Sequence, residues 1–158
     1  MKKIICALAY ITLILSSNGL ASALEEGKTL QGFALEDQFG KKHVLLKETQ
    51  KIIFAFSKES GHKCNDFFAK KDKNFLSSRE AVFVADISAA PSVVQMLFIK
   101  PGLRDFKHTV LVLEDEKLAK RYKTEQMQSK IVVAELKDLT ISKVFYFDTI
   151  EALEDYLQ

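Results

Sequence analysis

The chain has 158 residues, two cysteines and a nearly balanced charge, with 23 Lys and Arg residues against 21 Asp and Glu residues. Lys2 and Lys3 lie in a segment that we expect to be removed, and the remaining basic residues then number 21. Proteins that bind nucleic acids or anionic membranes draw on an excess of positive charge. We therefore expect neither kind of partner, and the length is sufficient for one domain.

The first 23 residues have the layout of a secretory signal peptide. Two lysines precede an apolar run from Ile4 to Leu15, and small residues follow as far as Ala21-Ser22-Ala23. The run is shorter than the ~20 residues of a membrane-spanning helix, so we expect cleavage after Ala23 and no stable membrane anchor. Residues 24–158 would then form a single domain in the periplasm or outside the cell.

Export would leave Cys64 as the only cysteine, because Cys6 lies in the predicted signal peptide. No intramolecular disulfide could then form in an oxidising compartment. We expect Cys64 either to be buried and inert or to be available to another thiol or a metal.

In the first half of the chain, the apolar pattern predicts a hairpin followed by two strands with a helix after each. The turn Asp37-Gln38-Phe39-Gly40 separates two short apolar segments, which is typical of a hairpin. The remaining elements are expected at Lys51 to Ser57 (strand), about Gly61 to Leu76 (helix), Ala81 to Ile87 (strand), and from Pro91 to the Pro101-Gly102 pair (helix).

The second half of the chain continues the alternation. Thr109 to Leu113 predicts a third buried strand, and a turn at 114–117 leads into residues 118–122. Ile131 to Leu136 and Ile141 to Phe147 predict two further strands, before a final helix that starts at Asp148. Such an order of strands and helices gives a sheet with crossover helices on its faces.

This order of elements resembles that of the thioredoxin superfamily over most of residues 32–158. The resemblance implies an α/β fold, a thioredoxin-like three-layer sandwich with an N-terminal β-hairpin and an extended mixed sheet. Residues 84–91 and 100–106 are also similar to segments of small secreted thioredoxin-like proteins of Gram-negative bacteria that lack the dithiol. That second resemblance bears on fold and compartment only.

The superfamily resemblance also places the dithiol positions. Counted from Phe56, the two cysteines of a CxxC motif would fall at Gly61 and Cys64, so only the second position keeps a sulfur. Cys64 would lie about one turn into its helix, where the helix dipole has faded and burial disfavours a thiolate. His108 takes the place of the cis-proline that precedes a core strand in these enzymes. We therefore expect no dithiol oxidoreductase activity.

A groove that holds extended peptides in relatives with this fold is the interaction surface that the resemblance implies. The residues that we assign to it are Lys58, Gly61, His62, Asp86, Pro91, Arg104 and His108. Asp86 could hydrogen-bond a ligand or Arg104, or cap the turn before Pro91. The function that we expect is binding of a protein or peptide partner. No glycine-rich phosphate loop follows a strand, and we expect no cofactor.

Two other functions remain open at this stage. Cys64 could act alone as a thiol-dependent oxidoreductase or peroxidase, with His62 or His108 polarising it. These three side chains could instead bind copper or zinc, since imidazole and thiolate suit both metals. In the simplest interpretation His62 faces solvent, His108 lies in a loop and Cys64 is a small core residue.

Overall fold

The structure is a computed structural model that describes residues 24–30 and 32–158. The predicted signal peptide, with Cys6, lies outside the described residues. Within them, no helix combines the length and the apolar character needed to cross a membrane.

In this part of the chain, seven strands form one mixed sheet. Their bounds are β1 Ala34–Asp37, β2 Lys42–Val44, β3 Lys51–Ala55, β4 Ala81–Asp86, β5 Leu111–Leu113, β6 Ile131–Lys137 and β7 Thr140–Phe147. The strand order across the sheet is β2-β1-β5-β4-β3-β6-β7. Strands β3, β4 and β5 are parallel, whereas the β1–β2 hairpin and the β6–β7 hairpin add antiparallel strands at the two sides.

Helices join the strands and cover both faces of the sheet. Their bounds are α1 Lys58–Ala69, α2 Ser92–Val94, a π-helical stretch Gln95–Ile99, α3 Lys100–Leu103, α4 Glu116–Tyr122 and α5 Ile150–Leu157. Residues 92–103 follow one another without a break and are called the π-containing helix below. Short 3₁₀ turns occupy Ser77–Arg79 and Glu125–Met127.

Apolar layers pack against both faces of the sheet, because successive side chains of a strand point in opposite directions. Phe54 of β3 belongs to the layer that contains Ala119 of α4, whereas Ile53 belongs to the layer that contains Phe68 of α1 and Leu153 of α5. All five are buried. The sheet between two helical layers confirms the predicted three-layer α/β sandwich.

The N-terminal hairpin forms as predicted, but Asp37 is the last residue of β1 rather than part of the turn. Its carboxylate accepts backbone hydrogen bonds from Phe39 and Lys41 and contacts Nε2 of His43 at 2.7 Å. Burial raises the pKa of Asp37, but these hydrogen bonds outweigh burial and the net pKa is lowered. An ionised carboxylate therefore closes the turn.

Helix α1 begins three residues before the predicted start, because Ser57 and Ser60 form a capping box there. The Ser57 hydroxyl accepts the Ser60 N–H, and the Ser60 hydroxyl accepts the Ser57 N–H, both at 3.2 Å. The apolar spacing that predicted this helix contained no information on these two serines. Gly61 is consequently the fourth residue of α1 rather than the first.

The prediction that Pro101 ends the second crossover helix is wrong. The helix continues to Leu103, and the π-helical stretch ends at Ile99, two residues before the proline. Proline lacks an N–H and its ring clashes with the carbonyl four residues earlier in a regular α-helix. In the wider turn the Lys100 N–H bonds to the Gln95 carbonyl, five residues back, which accommodates the proline. Similarly, Thr149 rather than Asp148 caps α5.

Candidate functional site

A groove of about 480 Å³ lies beside the start of α1. Its walls are the first two turns of α1, the end of β4 with the loop that follows, and the π-containing helix. This is the edge of the sheet at which the parallel strands β3 and β4 end, the usual location of binding sites in α/β proteins. The fold therefore forms a concave surface at the predicted place.

Four of the seven residues assigned to the groove from sequence line it, namely Lys58, Gly61, His62 and Asp86. Lys58 and His62 are exposed, so they present a cationic and an imidazole group to the solvent side of the groove. Both residues reach the groove because α1 starts at Lys58. Its first two turns therefore lie beside the end of β4.

The other three assigned residues do not line this groove. Pro91 is the N-cap of α2 and has its exposed side chain beyond the lining. The Nε of Arg104 donates to the Gln38 carbonyl at 3.1 Å, because the end of the π-containing helix packs on the N-terminal hairpin. His108 lies before β5 and is buried against the middle of α1, where its Nε2 bonds to the Asn65 side chain.

The Asp86 carboxylate is occupied by contacts within the protein. One oxygen accepts the Ser88 N–H at 2.9 Å, which closes the turn after β4, and the other pairs with Nζ of Lys123 at 2.6 Å. The Asp86 side chain is 2 % exposed. The predicted turn cap is therefore present, but the charge partner is Lys123 rather than Arg104.

Cys64 lies on the buried face of α1 and belongs to the apolar layer formed with α5. Its exposed fraction is 0 %, and burial raises the pKa of its thiol to about 12. Because thiols react as thiolates, the folded protein keeps this sulfur protonated and shielded at neutral pH. One helical turn before it, a β-carbon added at Gly61 would meet no described atom within 4 Å apart from its two chain neighbours and the backbone of its own helix.

His108 lies in the loop before β5, as the simplest interpretation had it, but its side chain is buried in the core. Its Nε2 lies 3.0 Å from Oδ1 of Asn65, and its ring contacts Phe68, Phe83 and Phe106. Burial lowers its pKa to about 4. The imidazole is therefore neutral at pH 7.

The candidate copper or zinc site is not assembled. In residues 24–30 and 32–158, no three His, Cys, Asp or Glu side chains are arranged to hold a metal ion. His62 is exposed on α1, Cys64 lies on the opposite, buried side of the same helix, and His108 bonds to Asn65. A helical spacing of two residues cannot place His62 and Cys64 on one face.

The π-containing helix has an exposed apolar surface that was not predicted from the sequence. Met96, Leu97 and Phe98 are 59–70 % exposed, and Val93 is 61 % exposed. Phe98 and the less exposed Val94 line the groove. The signal was the near-continuous apolar run itself, since five apolar residues among six consecutive positions cannot all face one side of a helix.

Comparisons with known proteins bear on the fold. No family model matches the chain, and no curated protein matches it. Among solved structures it is similar to the peroxidoxin BcpB of Mycobacterium tuberculosis, with a TM-score of 0.55, 16% identity, and coverage of 84% of this chain and 93% of the other. The chain has a thioredoxin-like fold.

A second solved structure with the same fold is a putative thioredoxin from Neisseria meningitidis. The TM-score is 0.52 at 16% identity, and the match covers 79% of this chain and 84% of the other. Identities this low indicate a shared arrangement of strands and helices and do not transfer an activity.

Proposed function

We propose that this protein is a thioredoxin-like binding module without dithiol oxidoreductase activity, which holds an extended segment of another polypeptide in the groove beside α1. The observation that carries the proposal is the composition of the groove. Where a thioredoxin-like enzyme has its attacking cysteine, this groove has Gly61, and next to it stand the exposed apolar side chains of the π-containing helix.

The groove offers two kinds of contact to a polypeptide. Phe98 is 70 % exposed, and together with Val94 it supplies an apolar wall that a bulky side chain could bury. A contiguous exposed apolar surface on a soluble protein commonly marks an interaction site. At the other wall, Lys58 and the N-terminal end of α1 present positive charge, which suits a carbonyl or an acidic side chain.

Catalytic inertness is tested by insulin reduction with the purified protein. We expect no turnover above the rate with dithiothreitol alone, because Cys64 has no second thiol within residues 24–30 and 32–158 with which to form a disulfide and is itself buried. Turnover comparable to that of a dithiol enzyme would overturn this part of the proposal.

Binding is tested by selecting peptides from a displayed library against the purified protein and measuring their affinity for two matched variants. Phe98→Glu places a charge in the groove wall, and Leu97→Glu places it on the same helix outside the groove. We expect Phe98→Glu to weaken binding about tenfold or more and Leu97→Glu to change it little. Equal effects of the two substitutions would show that the peptides bind elsewhere.

A second candidate function is a peroxidase or oxidoreductase that uses Cys64 alone, since one of the structural neighbours is a peroxidoxin. Its chemistry would require α1 to unwind locally, because the thiol is buried and its pKa is about 12 in the folded state. Consumption of hydrogen peroxide that depends on an added thiol and is abolished by Cys64→Ser would favour this function over the binding module.

Export to the periplasm is part of the proposal and rests on the sequence of residues 1–23. Cell fractionation with mass spectrometry of the mature N-terminus provides the test. We expect the protein in the periplasmic fraction with Leu24 as its first residue. A cytoplasmic protein that retains Met1 or Lys2 would contradict export.

A further inference from the structure

A second cavity, of about 300 Å³, lies at the end of the sheet where β4 begins. Ala81 and Val82 line it, whereas Ala85 and Asp86, at the other end of the same strand, line the groove. The two sites are therefore distinct. Because His108 also lines this second cavity, we call it the His108 cavity.

His108 contributes a nitrogen that has no hydrogen-bond partner within the described protein. The residue is only 4 % exposed, and its Nδ1 makes no hydrogen bond to any of the described residues. Its other nitrogen, Nε2, is held by Oδ1 of Asn65, which can only accept. Nε2 therefore carries the hydrogen, and Nδ1 is left as an acceptor. A buried acceptor of this kind favours a ligand that donates a hydrogen bond to it.

The charged lining of the His108 cavity favours an anion. Lys73 lines it, and none of the ion pairs within residues 24–30 and 32–158 involves this lysine. His43 also lines the cavity, but its Nε2 is held by Asp37. Among the residues that the structure describes, no acidic side chain is part of the lining. A carboxylate beside the exposed Lys73 could therefore pair with it, since no acidic side chain of the described residues lines the cavity.

Apart from the polar side chains of Asn74, Ser77 and Thr109, the remaining walls of the His108 cavity suit a small apolar body. Leu76, Phe83 and Leu111 are buried side chains that line it. A volume of about 300 Å³ suits a small metabolite. The ligand should then have a short apolar skeleton with a hydrogen-bond donor at one end and a negative charge at the other.

We propose that the His108 cavity binds a small hydroxycarboxylate, whose hydroxyl donates a hydrogen bond to Nδ1 of His108 and whose carboxylate pairs with Lys73. Neutral histidine is the form that can accept this bond, and burial keeps His108 neutral because it lowers the pKa to about 4. The proposal does not rest on peptide binding in the groove.

The test compares acids that differ by one hydroxyl group. The purified protein is titrated with lactate against propionate and with 4-hydroxybenzoate against benzoate, and binding is followed by calorimetry and by the imidazole ¹⁵N resonances. We expect the hydroxy acid of at least one pair to bind about fivefold or more tightly than its partner and to shift the Nδ1 resonance of His108. Equal affinities in both pairs, or an unshifted Nδ1, would show that no ligand hydroxyl donates to His108 and would overturn the proposal.

Two variants separate the roles of charge and hydroxyl. Lys73→Gln should weaken both acids of a pair to a similar extent and keep the hydroxyl preference, whereas Lys70→Gln, on a nearby lysine outside the cavity, should change neither. His108→Phe keeps a ring among its aromatic neighbours and should abolish the preference. If that variant does not fold, the Nδ1 resonance of the wild-type protein and the comparison of Lys73→Gln with Lys70→Gln still test the proposal. An effect of Lys70→Gln equal to that of Lys73→Gln would refute specific pairing.

Discussion

Asn65 and His108 join the groove and the His108 cavity through one hydrogen bond, with Oδ1 3.0 Å from Nε2. Asn65 lines the groove beside α1, and His108 lines the second cavity. Both residues are at most 4 % exposed, although both are polar. Buried polar groups are retained where they are hydrogen-bonded to each other. The pair therefore fixes the middle of α1 against the segment before β5.

Folding stability should depend on pH through His108. Burial lowers its pKa from 6.5 to about 4, so between these pH values the unfolded chain binds a proton that the folded chain does not. Stability is then complete above about pH 6.5 and decreases as the pH falls toward 4, by on the order of 2 kcal/mol once solvent screening is allowed for. Urea unfolding at a series of pH values measures the change.

His108→Gln and His62→Gln form the matched pair for this experiment. A glutamine amide can still donate to Asn65 but does not titrate, so the first substitution should flatten the profile between pH 6.5 and 4. His62 is exposed, and its replacement should leave the profile unchanged. Asp37, with a pKa lowered from 3.8, loses its contribution only below this window. An unaltered slope in His108→Gln would assign the pH dependence to other groups.

Cys64 should resist modification in the folded protein. Its side chain is fully buried and its thiol pKa is about 12, so reaction with a small disulfide reagent at neutral pH requires opening of α1. We expect the labelling rate to rise steeply in denaturant and to follow the population of unfolded protein. Rapid labelling under native conditions would show that the thiol is accessible and would revive the single-cysteine mechanism.

Gly61→Cys should create a reactive thiol without unfolding the protein. A β-carbon at this position would meet no described atom within 4 Å apart from its chain neighbours and its own helix backbone. Glycine in a helix is also less favourable than most residues by up to ~1 kcal/mol. We expect one thiol per chain to be labelled in the native state, with a melting temperature equal to or above that of the wild type. The groove location and the first turns of α1 should favour the thiolate.

The control for this substitution is Gly61→Ala, which makes the same change in backbone freedom without adding a thiol. It should share the thermal effect and leave labelling at the wild-type rate. If Gly61→Cys also reduces insulin while Gly61→Ala does not, the fold has retained the geometry of a dithiol site and lacks only the sulfur. A variant with no accessible thiol would mean that Gly61 is not at the groove surface.

Removing one partner of the buried ion pair between Asp86 and Lys123 should lower the free energy of unfolding. Lys123→Met leaves the Asp86 carboxylate, with 2 % exposure, without its counter-charge, and we expect a loss of about 2–4 kcal/mol. Asp86→Asn should cost less, because the Lys123 side chain is 16 % exposed and can reach water. Chemical denaturation measures both.

The double variant Asp86→Asn with Lys123→Met should recover part of the loss, because no unpaired buried charge remains at this site. The exposed pair Glu59 and Lys63 serves as a comparison, and breaking it with Glu59→Gln should have a much smaller effect. Losses that simply add in the double variant would indicate that the two side chains do not interact energetically.

The amino-acid pattern alone was sufficient for the order of elements. Continuous apolar runs at β3, β4 and β6 and helical spacing in α1 and α5 predict which segments pack in the core, because burial of apolar side chains depends on local periodicity. The resemblance to the thioredoxin superfamily also predicted that Gly61 and Cys64 occupy the dithiol positions and that the Cys64 thiol would be buried. The burial of Cys64 agrees with that prediction.

Only the tertiary structure decided the partners of the polar residues. That Asp86 pairs with Lys123, Arg104 with the Gln38 carbonyl and His108 with Asn65 depends on contacts between residues 37 to 66 positions apart in the chain. Long-range hydrogen bonds and ion pairs leave no periodic pattern in the sequence, since they are set by where strands and helices come together in space. The same is true of the π-helical turn, which leaves Phe98 at the groove instead of in the core.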